Sequence, residues 1–295
     1  MSLNSVNTNI GAQVALSSLN NTNTQLQASQ KRISTGLRVA DATDDGGAYA
    51  IAQRVRSDVG ALTSANEQLG NAKGLVGTAV TALGKLSDSV NTAKTLLVKI
   101  GDASISQDQR DQYVASYKSL VSQVADTVDG STYNGQTLLG KTSGAVAGTS
   151  KSVVSSEDGN SLSISAADNS GLASTLAGLI GLTFSRSATG TDSFSGTAAQ
   201  TTAATALSGT TFSAAQKGVS DQLNQTGADA NRLDATISRN DAKIDSLNAG
   251  LGALIDTDLT KESAKLQSLQ IKQQLGTQAL SLANQAPSSL VSLFR

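Results

Sequence analysis

The sequence has no cysteine, no histidine and no tryptophan, and aromatic residues make up only 3% of its 295 residues. Without cysteine and histidine, the chain cannot form disulfides, the Ser-His-Asp triad, the Cys-His dyad or zinc sites built from those residues. The scarcity of aromatic side chains also disfavours a platform on which nucleic-acid bases stack. We therefore predict that the protein is not an enzyme and has no catalytic, cofactor-binding or metal site.

An excess of charge of either sign is also lacking. Twenty-two basic residues face 23 acidic ones, for a formal net charge of −1, so no basic patch is available for nucleic acid or an anionic membrane. No run approaches the ~18 apolar residues of a membrane span, and no hydrophobic block precedes Lys31, the first basic residue, so we expect no signal peptide. We predict neither nucleic acid nor membrane as a partner. The compartment stays open on these grounds, because a cysteine-free chain suits the cytosol and the extracellular space alike.

A sustained heptad pattern occupies residues 55–100. It predicts one continuous helix of roughly 70 Å, at ~1.5 Å per residue, and the single proline, Pro287, lies far from it. Glycines such as Gly60 and Gly74 each cost up to ~1 kcal/mol inside a helix, so partner helices must supply stability. The two heptad rows are Val55, Leu62, Leu69, Val76, Leu83, Val90 and Leu97, and Ala65, Ala72, Ala79, Leu86, Ala93 and Ile100.

Two more helices are predicted to pack beside this one. Capping-box spacings at Ser104 and Ser106 precede a helix that reaches about Asp129. From about Ala214 the heptad pattern returns and runs to Leu254, with Asn240 as a polar interruption. Three such helices favour an inner bundle.

Both ends of the chain are predicted to be amphipathic helices with very little charge. Residues 1–30 and 273–294 contain no charged residue. Helices of this kind bury too little apolar area to be stable alone, so we expect the two ends to pair as a coiled coil whose remaining surface is buried in an assembly. On the first helix, the apolar row is Leu19, Leu26 and Ile33, and the row that is half Asn and Gln is Leu16, Asn23, Gln30 and Leu37. On the last helix, the seam is Ile255, Leu259, Leu266 and Leu269.

The region between the bundle helices is rich in Ser, Thr, Gly and Ala. Tyr133-Asn134-Gly135 indicates a turn, and the stretch around residues 157–160 predicts a β-hairpin. Residues 168–212 predict short strands and loops in a surface insertion. The fold class is therefore mainly α, with long helical rods forming a terminal coiled coil and an inner bundle with a β-hairpin, plus a short irregular or β insertion.

One motif points to a different class of protein. GQTLLGKT, residues 135–142, satisfies the phosphate-loop pattern GxxxxGK[ST], which would make the chain a nucleotide-binding enzyme. A phosphate loop needs a buried strand before it and a helix after it, whereas an amphipathic helix precedes this segment and SGAVAGTS follows it. We therefore reject the motif as a nucleotide site, and a titration with nucleotide is expected to give no response.

Several stretches resemble those of the bacterial flagellin family. SVNTNIGAQVALSSLNNTNTQL and KRISTGLRVADATDDGGAYAIAQRV are similar to the family's opening, with its RISTG-type and DDxxxxAIA-type segments. TYNGQTLL, GADANRLDATI and the ending LIDTDLTKESAKLQSLQIKQQLGTQALSLANQAPSSLVSLFR are similar as well. Only the region near residues 141–212 lacks the resemblance.

The resemblance implies a structural subunit that polymerises into the helical flagellar filament used for motility. Its partners would be further copies of itself, an export chaperone, the filament cap and the hook-junction proteins. Export through the flagellar type III apparatus would explain the missing signal peptide and cysteines, and would place the protein in the extracellular flagellum. The alternative is a hook-filament junction protein, which shares the terminal resemblance but diverges from the NTN opening and the SLFR ending.

The resemblance also implies a division into three parts. We expect residues 1–40 and 256–295 to form the terminal coiled coil of the filament core, and residues 41–140 and 213–255 to form the inner bundle. Residues 141–212 would form the hairpin and the variable insertion. The predicted self-assembly residues are Leu3, Val6, Ile10, Val14, Leu16, Leu19, Leu26, Ile33, Leu259, Leu266, Leu275, Leu280, Leu282, Leu290, Leu293 and Phe294.

One stretch departs from the family pattern. Flagellins recognised by the vertebrate innate receptor usually carry an R-E-L-A-V-Q-like segment. The matching place here reads Lys94, Thr95, Leu96, Leu97, Val98 and Lys99. We therefore predict weak or no activation of that receptor.

Overall fold

Helices account for most of the chain in the computed structural model, which describes residues 9–293. Within that range the helices are α1 (Ile10–Thr35), α2 (Gly46–Gly101), α3 (Gln107–Gly130), α4 (Leu172–Gly178), α5 (Gln200–Ser208), α6 (Thr210–Ile255) and α7 (Leu259–Leu293). The strands β1 (Lys151–Val154) and β2 (Ser161–Ile164) form one antiparallel pair, and β3 (Thr183–Arg186) and β4 (Asp192–Ser195) form another. The predicted fold class, mainly α with a small β component, is confirmed.

The chain divides into two compact units. The larger is Val59–Ile244, and the smaller combines Met1–Asp58 with Asp245–Arg295, of which residues 9–58 and 245–293 are described. Helices α2 and α6 each contribute residues to both units. The three-part division expected from the sequence stays a prediction.

From Leu62 onward, the predicted heptad rows of α2 are buried in the larger unit. Leu62, Leu69, Val76 and Leu83 have no exposed surface, and the alternate row from Ala65 to Ile100 is equally buried. Helix α3 packs its own apolar face into this core. Its N-terminus carries a complete capping box at Ser106, where the hydroxyl accepts from the Gln109 amide and the Gln109 side chain accepts from the Ser106 amide. The long helix begins at Gly46, nine residues before the heptad pattern, because Asp45 Oδ1 accepts the Ala48 amide and caps the first turn.

Part of the insertion is helical, so the prediction of only strands and loops over residues 168–212 was wrong. Helices α4 and α5 form there, whereas β3 and β4 occur as the predicted short strands. Leu172, Ala173, Leu176 and Ala177 of α4 are buried in the same core as α2 and α3. The Tyr117 hydroxyl of α3 donates a 2.9 Å hydrogen bond to the Leu176 carbonyl, and burial raises its pKa. Burial against α3 thus decides the conformation of α4, a segment too short to show a clear helical period of hydrophobic residues.

The β1–β2 hairpin is tied to the long helices through buried polar contacts. Asn240 of α6 is 2% exposed, and its Nδ2 donates to Asn66 Oδ1 of α2 at 2.9 Å and to the Ser155 carbonyl at 3.0 Å. Lys243 forms an ion pair with Glu157 in the hairpin loop, which lowers the pKa of that carboxyl. Because the buried Asn240 side chain of α6 donates to both α2 and the hairpin, it fixes the register of these three elements.

A second polar cluster anchors the β3–β4 hairpin on α3. The guanidinium of Arg186 is almost completely buried and lies 2.5 Å from Asp192, 2.8 Å from Asp126 and 3.3 Å from Asp129. The ion pair with Asp192 raises the pKa of Arg186 and lowers that of Asp192. Asp129 also accepts the Thr142 amide at 2.5 Å, so the cluster joins the hairpin, α3 and the turn that follows α3.

In the smaller unit, the segment after α1 pairs with the junction of α6 and α7. Gly36, at φ 71°, ends α1, and its carbonyl accepts the Thr257 amide at 3.0 Å. Ile255 was expected to share one helix with Leu259, and this was wrong, because α6 ends at Ile255. Asp258 Oδ1 accepts two backbone amides of the next turn and so caps α7 as a new helix. Ile255 instead packs with Val39, Ala48 and Ala52 in a small apolar cluster.

Candidate assembly surface of the terminal helices

Helices α1 and α7 lie antiparallel and face each other along a heptad seam. The less exposed positions of both helices alternate by three and four residues, which is the spacing of a coiled coil. Small and polar side chains are frequent among them. The seam consists of Ala12, Ala15, Leu19, Thr22, Leu26, Ser29 and Ile33 on α1, and of Glu262, Leu266, Leu269, Gln273, Gly276, Leu280 and Ala283 on α7.

Polar contacts cross this seam at three levels. The Ser29 hydroxyl donates to Glu262 Oε1 at 2.5 Å, and Gln273 Nε2 donates to Asn23 Oδ1 at 2.8 Å. Asn9, which caps α1, donates from Nδ2 to the Ala283 carbonyl at 2.7 Å. The sequence had indicated Asn23 as a seam residue but not Ser29 or Glu262. The signals that could have found them are positional: Ser29 lies three residues after Leu26, and Glu262 lies seven residues before Leu269. Leu16 and Gln30 were also expected in the seam, and this was wrong, because both are exposed.

Large apolar side chains remain on the faces turned away from the seam. On α7, Leu275 is 58% exposed and Leu282 71% exposed, and Ile271 lies one turn before Leu275 on the same face. On α1, Val14 is 65% exposed and Ile10 lies one turn before it. We call Ile10, Val14, Ile271, Leu275 and Leu282 the outward stripe. A helix that is apolar on two opposite sides needs partners on both sides.

The predicted self-assembly residues divide between the seam and the outer surface. Leu19, Leu26, Ile33, Leu266 and Leu280 are half-buried in the seam. Ile10, Val14, Leu16, Leu259, Leu275 and Leu282 are exposed. Leu3, Val6 and Phe294, and the side chains of Leu290 and Leu293, lie outside the described part of the chain. Ile271 was not selected from the sequence, because it lies between Gln270 and Lys272 and outside the predicted seam.

Charge enters α1 only at its C-terminal end. Lys31 Nζ lies 2.5 Å from Asp41 and 2.9 Å from Asp44, both in the segment that leads into α2. These hydrogen bonds raise the pKa of Lys31 and lower the pKa values of Asp41 and Asp44. These ion pairs therefore stabilise the turn between α1 and α2. The first five turns of α1 contain no charged residue.

The stretch matching the receptor-recognised segment lies on α2. Leu97 is buried in the core and Leu96 is half-buried, whereas Val98 is 56% exposed. Lys94, Thr95 and Lys99 are exposed, and Lys99 Nζ lies 5.2 Å from the centre of the Tyr113 ring. Four of the six side chains are thus available at the surface.

The segment with the phosphate-loop pattern is not built as a phosphate loop. Residues 143–150 after Thr142 form no helix, and the amides of Thr142 and Ser143 donate to Asp129. Lys141 pairs with Val146 in an isolated bridge. Among residues 9–293, no three acidic side chains are grouped in a way that could hold a metal ion. Within the same residues, no helix has the length and hydropathy required to cross a bilayer.

Comparison with known proteins defines the class to which these helices belong. Residues 6–144 match the bacterial flagellin N-terminal helical region, and residues 210–294 match the bacterial flagellin C-terminal helical region. The class is that of the structural subunits of the bacterial flagellar filament. This chain belongs to the bacterial flagellin family.

Two individual flagellins match the chain over nearly its whole length. Flagellin FljM of Caulobacter vibrioides is 35% identical over 295 residues and covers 100% of both chains. A flagellin of Brucella melitensis is 34% identical over 297 residues and covers 99% of each. The crystal structure of Bacillus cereus flagellin aligns with 59% of this chain and 88% of that chain, at 20% identity and a TM-score of 0.47.

The predicted function is confirmed: the chain is a structural subunit that polymerises into the flagellar filament used for motility. Flagellins form a filament that lies outside the cell. None of these findings points to the hook-junction alternative.

Proposed function

We propose that the outward stripe of α1 and α7 is the surface through which this flagellin polymerises. The observation that carries the proposal is the exposure of Ile271, Leu275 and Leu282 on the side of α7 away from α1. One apolar side of α7 is occupied within the chain, and further copies of the same chain would occupy the other. The same argument applies to Ile10 and Val14 on α1.

The weak packing within the pair supports a coupling between assembly and ordering. In α1 only Ser29 is buried, and among the described side chains of α7 only Glu262 and Leu269 are. Burying each large apolar side chain contributes ~1.5 to 3 kcal/mol, so five outward residues together outweigh a substantial ordering cost. Neighbouring subunits would thus supply most of the free energy that holds the terminal helices.

The remaining roles follow from this arrangement as parts of the same proposal. Residues 1–40 and 256–295 would form the filament core, residues 41–140 and 213–255 the inner helical bundle, and residues 141–212 the β-hairpin and a variable surface insertion. We infer secretion through the flagellar type III apparatus, with an export chaperone, the filament cap and hook-junction proteins as partners. We also infer that the chain has no enzymatic activity, no cofactor, and neither nucleic acid nor membrane as a partner.

Polymerisation is tested by electron microscopy of the purified protein at increasing concentration. We expect monomers at low concentration and long, uniform filaments above a critical concentration, because the outward stripe is buried only between copies. Short caps or rings that do not lengthen would contradict the proposal and favour a junction protein.

We expect weak or no activation of the vertebrate innate receptor by the purified monomer. The exposed positions carry Lys94, Thr95 and Lys99 where recognised flagellins have Arg, Glu and Gln. The measurement is a reporter-cell assay over a range of monomer concentrations. A variant with Lys94→Arg, Thr95→Glu and Lys99→Gln keeps the buried Leu97 and is expected to signal more strongly. Strong, dose-dependent signalling by the unmodified monomer would overturn this prediction.

A further inference from the structure

We propose that the Ser29–Glu262 contact selects the face that α1 presents to α7, which makes Glu262 a specificity-determining residue for filament assembly. The contact decides which apolar residues remain outward for neighbouring subunits. The link to assembly rests on the proposed function of the outward stripe, whereas the selection of the face does not.

Helix α1 offers two alternative faces that share one apolar row. Leu19, Leu26 and Ile33 form the shared row. On one flank lie Ala15, Thr22 and Ser29, and on the other lie Leu16, Asn23 and Gln30. Apolar burial alone favours the second flank, because leucine buries more apolar surface than alanine. The structure has the first flank in the seam and leaves Leu16 47% exposed.

The buried carboxylate accounts for this choice. Glu262 is 7% exposed and Ser29 has no exposed surface, and the hydroxyl donates to the carboxylate at 2.5 Å. Lys265 Nζ, one turn further along α7, lies 3.6 Å from the same oxygen and is about half exposed. A carboxylate in such a position requires a hydrogen-bond donor, and a well-packed apolar residue there would stabilise the seam at least as well. The glutamate is therefore better explained by specificity than by stability.

The contact between Asn23 and Gln273 does not distinguish the two faces. Asn23 reaches Gln273 from the flank of the seam, and it would remain next to α7 if α1 rotated toward its second face. The translation of α1 along α7 is set separately, by the pairing of residues 36–38 with residues 255–257. Ser29 sets the rotation of α1 about its own axis. If α1 rotated, the neighbouring Gln30, which points to the other face, could donate a hydrogen bond to Glu262 instead.

Engineered disulfides test the proposal directly, because the chain has no cysteine of its own. A Cβ built on Gly11 lies 4.0 Å from Ala283 Cβ, and one built on Gly276 lies 3.8 Å from Leu19 Cβ, which are disulfide distances. The pair Gly11→Cys with Ala283→Cys reports the observed face. The pair Leu16→Cys with Gly276→Cys reports the rotated face. Cysteine keeps an apolar side chain at position 16 and is present in every background that is compared, so differences between backgrounds report the seam alone. Leu19→Cys with Gly276→Cys reports pairing in either case. Cross-linking is measured on full-length chains, as monomers and as filaments.

In the parent background we expect the observed-face and common pairs to cross-link and the rotated-face pair to stay at background. Glu262→Leu and, separately, Ser29→Ala are expected to raise cross-linking of the rotated-face pair about tenfold, the effect of losing one charge-assisted hydrogen bond. Glu262→Gln keeps an acceptor for Ser29 and is expected to retain the parent pattern. Gln267→Leu, an exposed position of α7, adds the same leucine outside the seam and serves as the control.

Parent patterns in both Glu262→Leu and Ser29→Ala would overturn the proposal. The readout is independent of polymerisation, because each disulfide lies within one chain. Failure of the parent protein to form filaments would refute the proposed function and leave the cross-linking result intact. Where the face has rotated, electron microscopy is expected to show fewer and irregular filaments.

Discussion

Replacing Leu275 and Leu282 together by lysine is expected to abolish filament growth at concentrations where the parent protein polymerises fully. Both side chains are more than half exposed within one chain and belong to the outward stripe. Losing ~3 to 6 kcal/mol of apolar burial corresponds to a rise of roughly 10²- to 10⁴-fold in the critical concentration. Desolvation of the new charges adds to this effect. The measurement is the concentration at which sedimentable polymer first forms.

The matched control is Leu275→Met with Leu282→Met. Methionine keeps the apolar character and the approximate volume, so we expect the critical concentration to change little. Circular dichroism of the lysine variant at low concentration should match the parent, because neither side chain takes part in the seam. Normal filaments from the lysine variant would show that these residues face solvent in the polymer as they do in the single chain.

Replacing Arg186 by methionine is expected to destabilise the larger unit strongly. Arg186 is 4% exposed at its side chain and compensates Asp129 and Asp192, which are themselves mostly buried. Removing one partner of a buried ion pair costs about 3 to 5 kcal/mol, because the remaining charges lose their compensation. For a unit of this size that lowers Tm by roughly 6 to 20 °C. The measurement is thermal or urea unfolding of the full-length monomer.

Lys73→Met removes the same charge from an exposed ion pair with Asp234 and serves as the control. Both partners of that pair are more than half exposed, so we expect a loss below ~1 kcal/mol. Equal stability of the Arg186→Met and Lys73→Met variants would contradict the assignment of Arg186 as the anchor of the β3–β4 hairpin.

The same cluster predicts a pH dependence. Arg186 lowers the pKa of Asp192, so the stabilisation is present above the ordinary carboxylate pKa of about 4 and is lost as the pH falls through the lower pKa of the folded state. The difference in the free energy of unfolding between the parent and the Arg186→Met variant should therefore be constant near neutral pH and become smaller in acid. A difference that widened in acid would have the wrong sign for this mechanism.

Features encoded by local sequence could be predicted. The turn at Asn134 and Gly135 is one, since both residues have positive φ, of 49° and 73°, which these two residue types tolerate best. The capping box at Ser106 and the β1–β2 hairpin are others, because each depends on residues a few positions apart. The long heptads of α2 were visible for the same reason, since a repeated period needs no knowledge of the partner helix.

Features that depend on distant residues could not be predicted. Helices α4 and α5 were missed because short, weakly periodic segments take their conformation from the core on which they pack. The partners of Arg186 on α3, Asp129 and Asp126, lie 57 and 60 positions away in the sequence. The partner of Ser29, Glu262, lies 233 positions away. No local pattern shows which carboxylate will meet which donor over such distances.

The sequence by itself determined the helical rods, the two charge-poor ends and the exclusion of disulfides and of chemistry that needs cysteine or histidine. Composition and period act through local conformation and through what side chains can do. Only the tertiary structure decided which face of α1 meets α7. In the structure that choice leaves Ile10 and Val14 of α1 outward. We have proposed that it depends on the buried Ser29–Glu262 hydrogen bond, whose partners lie on helices at opposite ends of the chain and cannot be matched from local sequence.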